Sequence, residues 1–99
     1  MILYHGTTAP VEVGQYLLPP SVTGIVSEKG RKRNLDRVFL TADLGLARIY
    51  AGRAAQSLGG RPKVLTVQAF DSDVETLSTT VGATVFHASY GFVISSQSI

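Results

Sequence analysis

Apolar residues along this chain fall in short runs broken by turn formers, with one stretch of helical spacing near the middle. Ile2-Leu3-Tyr4 is an apolar run ended by His5-Gly6, the pattern of a buried strand feeding a turn. Val11 to Leu18 alternates loosely and stops at Pro19-Pro20, which cannot continue a ladder. Residues 19–36 hold prolines, glycines and most of the basic charge, and read as one long loop. Arg37 to Thr41 is a strand candidate. Leu44, Ala47, Ala51, Ala54 and Leu58 then make a stripe at helical spacing. The stripe predicts a helix over about residues 42–58, with Thr41 as its cap, Asp43 in the first turn and Gly59-Gly60 as the stop. Its small residues suit close packing on a sheet. Lys63 to Phe70 is rich in β-branched and apolar residues, as a central strand would be. Val74–Leu77, Ala83–Phe86 and Gly91–Ser95 are three further short strands. One helix among about six strands gives an α+β domain over residues 1–99, because the helices that a parallel sheet needs are missing.

Composition narrows the chemistry. The 99 residues are 44% hydrophobic, enough for a core that buries roughly 60–68% of the unfolded surface. There is no cysteine, so disulfides and thiolate metal sites are excluded. The only histidines are His5 and His87, and the expectation is no metal. No apolar run is long enough for a membrane span, and His5 and Gly6 interrupt any signal-peptide core, so the expected address is cytoplasmic. Net charge is +2, with Lys29, Arg31, Lys32 and Arg33 crowded around Gly30. Such a cluster invites phosphate or nucleic acid, but no aromatic interleaves with it, and a solvated basic loop is the favoured reading. His87, alone on a strand-like segment, reads as structural or as a surface residue.

His5-Gly6-Thr7 is the first triplet with chemical content. A glycine after a strand lets a ligand approach the main chain, and an extended residue there offers an N–H and a C=O to a planar carboxamide. A neighbouring imidazole can bond a ribose hydroxyl, and the threonine hydroxyl adds a polar contact. By itself the triplet is also an ordinary strand-ending turn.

The order of motifs adds to it. Tyr4-His5-Gly6-Thr7 is followed by Gly14-x-x-Leu17-Leu18-Pro19, a strand ending in Thr41, a helix carrying Tyr50-Ala51, Gly59-Gly60-x-Pro62 and another strand. Over roughly residues 3–70 this resembles the ADP-ribosyltransferase-fold proteins, most closely the small rifamycin ADP-ribosyltransferases of bacteria. It resembles more distantly the poly-ADP-ribose polymerase catalytic domains and the RNA 2′-phosphotransferases. The resemblance implies two small, mostly antiparallel sheets around an NAD cleft, and ADP-ribosyl transfer from NAD to an acceptor it does not identify. It implies that His5 holds the nicotinamide-side ribose, that Gly6 clamps the carboxamide and that Thr7 supports it. Phe39 stands where the family has a ring-stacking tyrosine, and Tyr50 falls where the polymerases have their second one. For Phe39 the favoured reading is a core residue, whereas Tyr50 reads equally as either.

The family also needs a carboxylate, which stabilises an oxocarbenium-like state and takes the acceptor's proton. Where the polymerases carry that glutamate, this chain has Gly91. The rifamycin enzymes place an aspartate shortly after the strand that follows the helix, and there this chain offers Glu75 by offset, then Asp73, with Asp71 nearby. Two alternatives follow from the departures: a nucleotide-binding module of the same fold without fast turnover, and an RNA- or phosphate-binding protein related to the 2′-phosphotransferases.

Overall fold

The structure is a computed structural model that describes residues 1–19, 37–77 and 85–99. The expected loop falls largely outside the described residues, as do Lys29, Arg31, Lys32 and Arg33. The described residues form seven strands and one helix: β1 (Ile2–Thr7), β2 (Tyr16–Leu17), β3 (Val38–Thr41), α1 (Leu44–Leu58), β4 (Lys63–Gln68), β5 (Glu75–Leu77), β6 (Val85–Ala88) and β7 (Gly91–Ser98). The α+β reading therefore stands, with one helix among the described residues.

The helix starts slightly later than the spacing suggested. Asp43, not Thr41, is its N-cap: the carboxylate accepts the N–H of Leu46 at 3.0 Å, satisfying a donor that has no partner within the helix. Thr41 sits one step earlier, its hydroxyl oxygen accepting the Asp43 N–H at 3.1 Å. Gly59 ends the helix with φ +74, a conformation that favours glycine, and its N–H closes on the Ala55 carbonyl.

All described pairings are antiparallel and join the strands into one sheet in the order β2-β7-β4-β1-β3-β6-β5. This replaces the expected pair of separate sheets. Two features explain how one sheet does the work of two. First, β1 pairs with β4 along its whole length but with β3 only at Tyr4↔Thr41, so the sheet has a narrow seam. Second, β6 and β7 are four strand positions apart, about 19 Å in a flat sheet, yet only Ser89 and Tyr90 connect them. Three Cα steps reach about 11 Å at most. The sheet must therefore curl until β6 and β7 approach each other. Leu3, Leu17, Val38, Leu40, Leu65, Val67, Ala69, Ala88 and Val93 fill the inside of that curl as one buried cluster.

The helix lies on the other side, chiefly over β1, with Ala47 and Ala51 fully buried. A Cβ built at Gly6 would stand 1.9 Å from the Ala47 carbonyl oxygen and 2.6 Å from the Ala51 nitrogen. The missing side chain at position 6 is what lets α1 lie against β1. Gly6→Ala is expected to lower unfolding stability by about 3 kcal/mol, because the clash is with backbone that cannot rotate away. Gly52→Ala, in the same helix with open space around it, should raise stability by about 0.5–1 kcal/mol. Urea denaturation of both variants checks the pair; a wild-type midpoint for Gly6→Ala would refute the packing account.

Candidate functional site

Alternation along β1 sends Gly6 toward the helix and its neighbours His5 and Thr7 to the inner side, with Leu3. His5 therefore stands at the seam, where β1 and β3 part after Tyr4↔Thr41. Its Nδ1 lies 2.7 Å from the Phe39 carbonyl oxygen. A carbonyl only accepts, so Nδ1 carries the hydrogen and donates it, and the neutral ring keeps Nε2 as an acceptor. The imidazole takes a carbonyl that the next rung of a β1–β3 ladder would otherwise have reached. Burial of the ring pushes the His5 pKa below its ordinary value, while the Phe39 carbonyl works in the opposite direction. The side chain is thus neutral at physiological pH.

His5 lines a cleft of about 140 Å³ together with Thr7, Leu17, Arg37, Phe39 and Leu58, among others. Pockets for drug-sized ligands are typically about 300–1,000 Å³, so this one matches a single ring or sugar rather than a dinucleotide. Thr7 is buried, and its hydroxyl oxygen accepts the Ala9 N–H at 3.0 Å, closing the turn after β1.

The other expected site residues are spread differently. The Cβ direction of Gly6 is filled by α1, so the helix occupies the space from which a ligand would approach that face. Phe39 reaches His5 through its carbonyl, and its position between Val38 and Leu40, both in the inner core, directs its ring to the opposite side of the sheet. Tyr50 lies on α1 at the flank of the Ala47–Ala51 contact and is not among the residues lining the cleft. Position 91 cannot carry an acid: a Cβ there would stand 2.1 Å from Cγ1 of Val67, which is fully buried.

Both candidate carboxylates belong to a polar network on β5 and β6. Asp73 Oδ2 accepts the Ser89 N–H at 2.7 Å, and its Oδ1 accepts the Ser89 hydroxyl at 2.6 Å. The Ser89 hydroxyl, then the Ser89 N–H and the Arg37 guanidinium, hold the Asp73 pKa below the ordinary carboxylate value against an opposing desolvation. Arg37 is the hub. Its Nε donates to His87 Nδ1 at 2.7 Å, one terminal nitrogen to the Ser89 hydroxyl at 2.9 Å and the other to the Asp73 carbonyl at 3.0 Å. Since His87 accepts at Nδ1, its hydrogen is on Nε2, which faces Glu75 Oε2 at 3.3 Å. Glu75 itself is exposed. Neither Asp73 nor Glu75 lines the His5 cleft; Arg37 belongs to both the cleft and the network.

Sequence reasoning counted Arg37 only among the arginines available for a phosphate and did not single out Ser89; their shared network was not foreseen. The one available signal was position: Arg37 immediately precedes β3, and His87 and Ser89 share an alternation with each other. Comparison with family models, curated proteins and solved structures finds no match to the chain.

Two pH steps in stability are expected. The folded pKa of His5 lies below its unfolded 6.5, so the unfolded chain binds the proton first. The stability that neutral His5 contributes is full above 6.5 and is lost as pH falls toward the lower folded value. Asp73 acts in a separate window: its contribution is full above 3.8 and disappears as pH falls through its lower folded value. Urea midpoints against pH should show the upper step vanish in His5→Gln and the lower one shrink in Asp73→Asn. An upper step unchanged in His5→Gln would contradict the assignment.

Proposed function

We propose that this chain is an ADP-ribosyltransferase-type domain that takes the nicotinamide–ribose end of NAD at the His5 cleft and transfers ADP-ribose to an acceptor. The observation that carries this reading is the fixed imidazole of His5. Its Nδ1–H is committed to the Phe39 carbonyl, which leaves Nε2 in the cleft as an acceptor suited to a ribose hydroxyl. The cleft's size fits one ring at a time, with the rest of a dinucleotide across open surface. In the reaction, the bond from ribose C1′ to the nicotinamide nitrogen breaks and the pyridine nitrogen keeps the electron pair. A bond forms from C1′ to the acceptor, whose proton passes to a base. Neither carboxylate lines the cleft, and of the two Glu75 is the base for an acceptor that reaches beyond it, because it is exposed while both oxygens of Asp73 are held by Ser89.

A specific observation supports a second reading, in which the domain binds the nucleotide without turning it over: neither carboxylate lines the cleft, and Phe39 has no hydroxyl. An RNA- or phosphate-binding role has less support, since the described arginine at the cleft, Arg37, is already engaged by His87, Ser89 and Asp73.

Calorimetry with NAD, alongside nicotinamide release with candidate acceptors, separates the readings. The first expects both signals, with binding lost in a folded His5→Ala variant and release reduced about 100-fold or more in Glu75→Gln. Binding without release selects the second. Absence of both removes NAD from the account altogether.

A further inference from the structure

The side of the sheet that carries α1 is not covered throughout. Ile2, Gln68, Phe92 and Tyr16 stand directly opposite one another in a row across β1, β4, β7 and β2. Directly paired residues share a face, and the pairing Gly6↔Val64 fixes it as the helix side. The helix packs chiefly on β1, and beyond it the row lies open: Ile2 is 50% exposed, Tyr16 56% and Phe92 38%. Phe70, which is 65% exposed, and Tyr90 flank the row. The rings meet edge to face, Tyr16 against Tyr90 and Phe92, and Phe70 against Tyr90. Between them is a groove of about 180 Å³, comparable in size with the His5 cleft.

We propose that this aromatic groove is the contact surface for a second copy of the chain in a two-fold dimer. Three properties point to that occupant. The first is charge. A two-fold contact brings a patch against itself, so any charge near the axis meets its own copy, and the groove lining contains none among the described residues. Its described lining, tyrosine and phenylalanine with Gln68 and Ala69 and no lysine or acid, is that of an interface centre, and Asp71, next to Phe70 in the chain and paired with the Met1 amino group, belongs at a polar rim. A nucleic-acid strand, which also stacks on rings, needs cations, and none lines this groove among the described residues.

The second property is shape. Phe70 is the most exposed large apolar side chain among the described residues, and it borders a hollow about as large as a ring. Reciprocal insertion, each Phe70 into the other copy's groove, uses the same two features twice, as an isologous contact requires.

The third is area. At their observed exposures Tyr16, Phe70 and Phe92 leave roughly 300 Å² of ring surface in solvent, with Ile2 and Met1 half exposed beside them. Doubled by a two-fold axis and given a polar rim, such a centre reaches about 1,000 Å², the threshold for a specific interface.

Sedimentation equilibrium of the full chain from about 1 to 100 μM tests the proposal. The expected result is a reversible monomer–dimer equilibrium, weakened about tenfold or more by Phe70→Ser while the thermal transition is retained. Tyr16→Arg, which sets a charge against its own copy, should also give monomers and decides the matter should Phe70→Ser fail to fold. A monomer across that range, or a dimer indifferent to Tyr16→Arg, overturns the proposal. His5→Ala should dimerise like wild type, so the outcome is separable from the nucleotide reading.

Discussion

The contact between Gly6 and the backbone of α1 at Ala47 and Ala51 is the constraint on which the rest of the structure depends. An atom added at that point would sit within bonding range of the Ala47 carbonyl oxygen, so the helix has no alternative seat on β1 unless position 6 is bare. Once α1 is fixed there, strict alternation along β1 decides the remainder. Leu3, His5 and Thr7 must turn inward, and Leu3 joins the buried cluster. The histidine arrives at the seam for the same reason: it is next to the residue that the helix needs to be glycine. Site and scaffold are thus two sides of one strand, and the curl of the sheet makes the inner side concave.

Much of the fold was legible because it is local. The small-residue stripe announced both α1 and its close packing, and the β-branched run announced β4. The capping residue moved from Thr41 to Asp43 because both side chains can accept an N–H, and only the backbone conformation at 43 settles which one starts the helix. The single curled sheet was not legible. Which strand lies beside which is a property of contacts far apart in sequence, and the two-residue link at Ser89-Tyr90 acquires its meaning only once β6 and β7 are known to be four positions apart. Gly6 is the instructive case. A glycine after a strand can serve a ligand or a neighbouring backbone, and the triplet alone does not distinguish them.

The polar cluster shows a similar division. Asp73 and Glu75 were singled out as acids at a suitable offset, and the offset is unchanged, but their surroundings differ. Asp73 is a structural anion, tied by two bonds to Ser89 and facing Arg37, whereas Glu75 remains exposed beside His87. Arg37 links this cluster to the His5 cleft by lining one and anchoring the other. A half-buried hub of this kind has its donors spent on holding strands together. Its effect on the cleft is to fix the wall there rather than to offer a loose cation. Such satisfied networks rigidify their surroundings, because losing one partner leaves others stranded.

The central place of β1 has a consequence for biosynthesis. β1 pairs along its full length with β4, some sixty positions downstream, and meets α1 only after that helix has formed. Until then Leu3 and the rest of that strand have neither edge nor face protected. Topologies dominated by such distant pairings close slowly and leave apolar segments open to misassociation in the interval. The central strand of the sheet is therefore made before its partners and docked late, and β7, which follows β4 in the chain, pairs beside it later still.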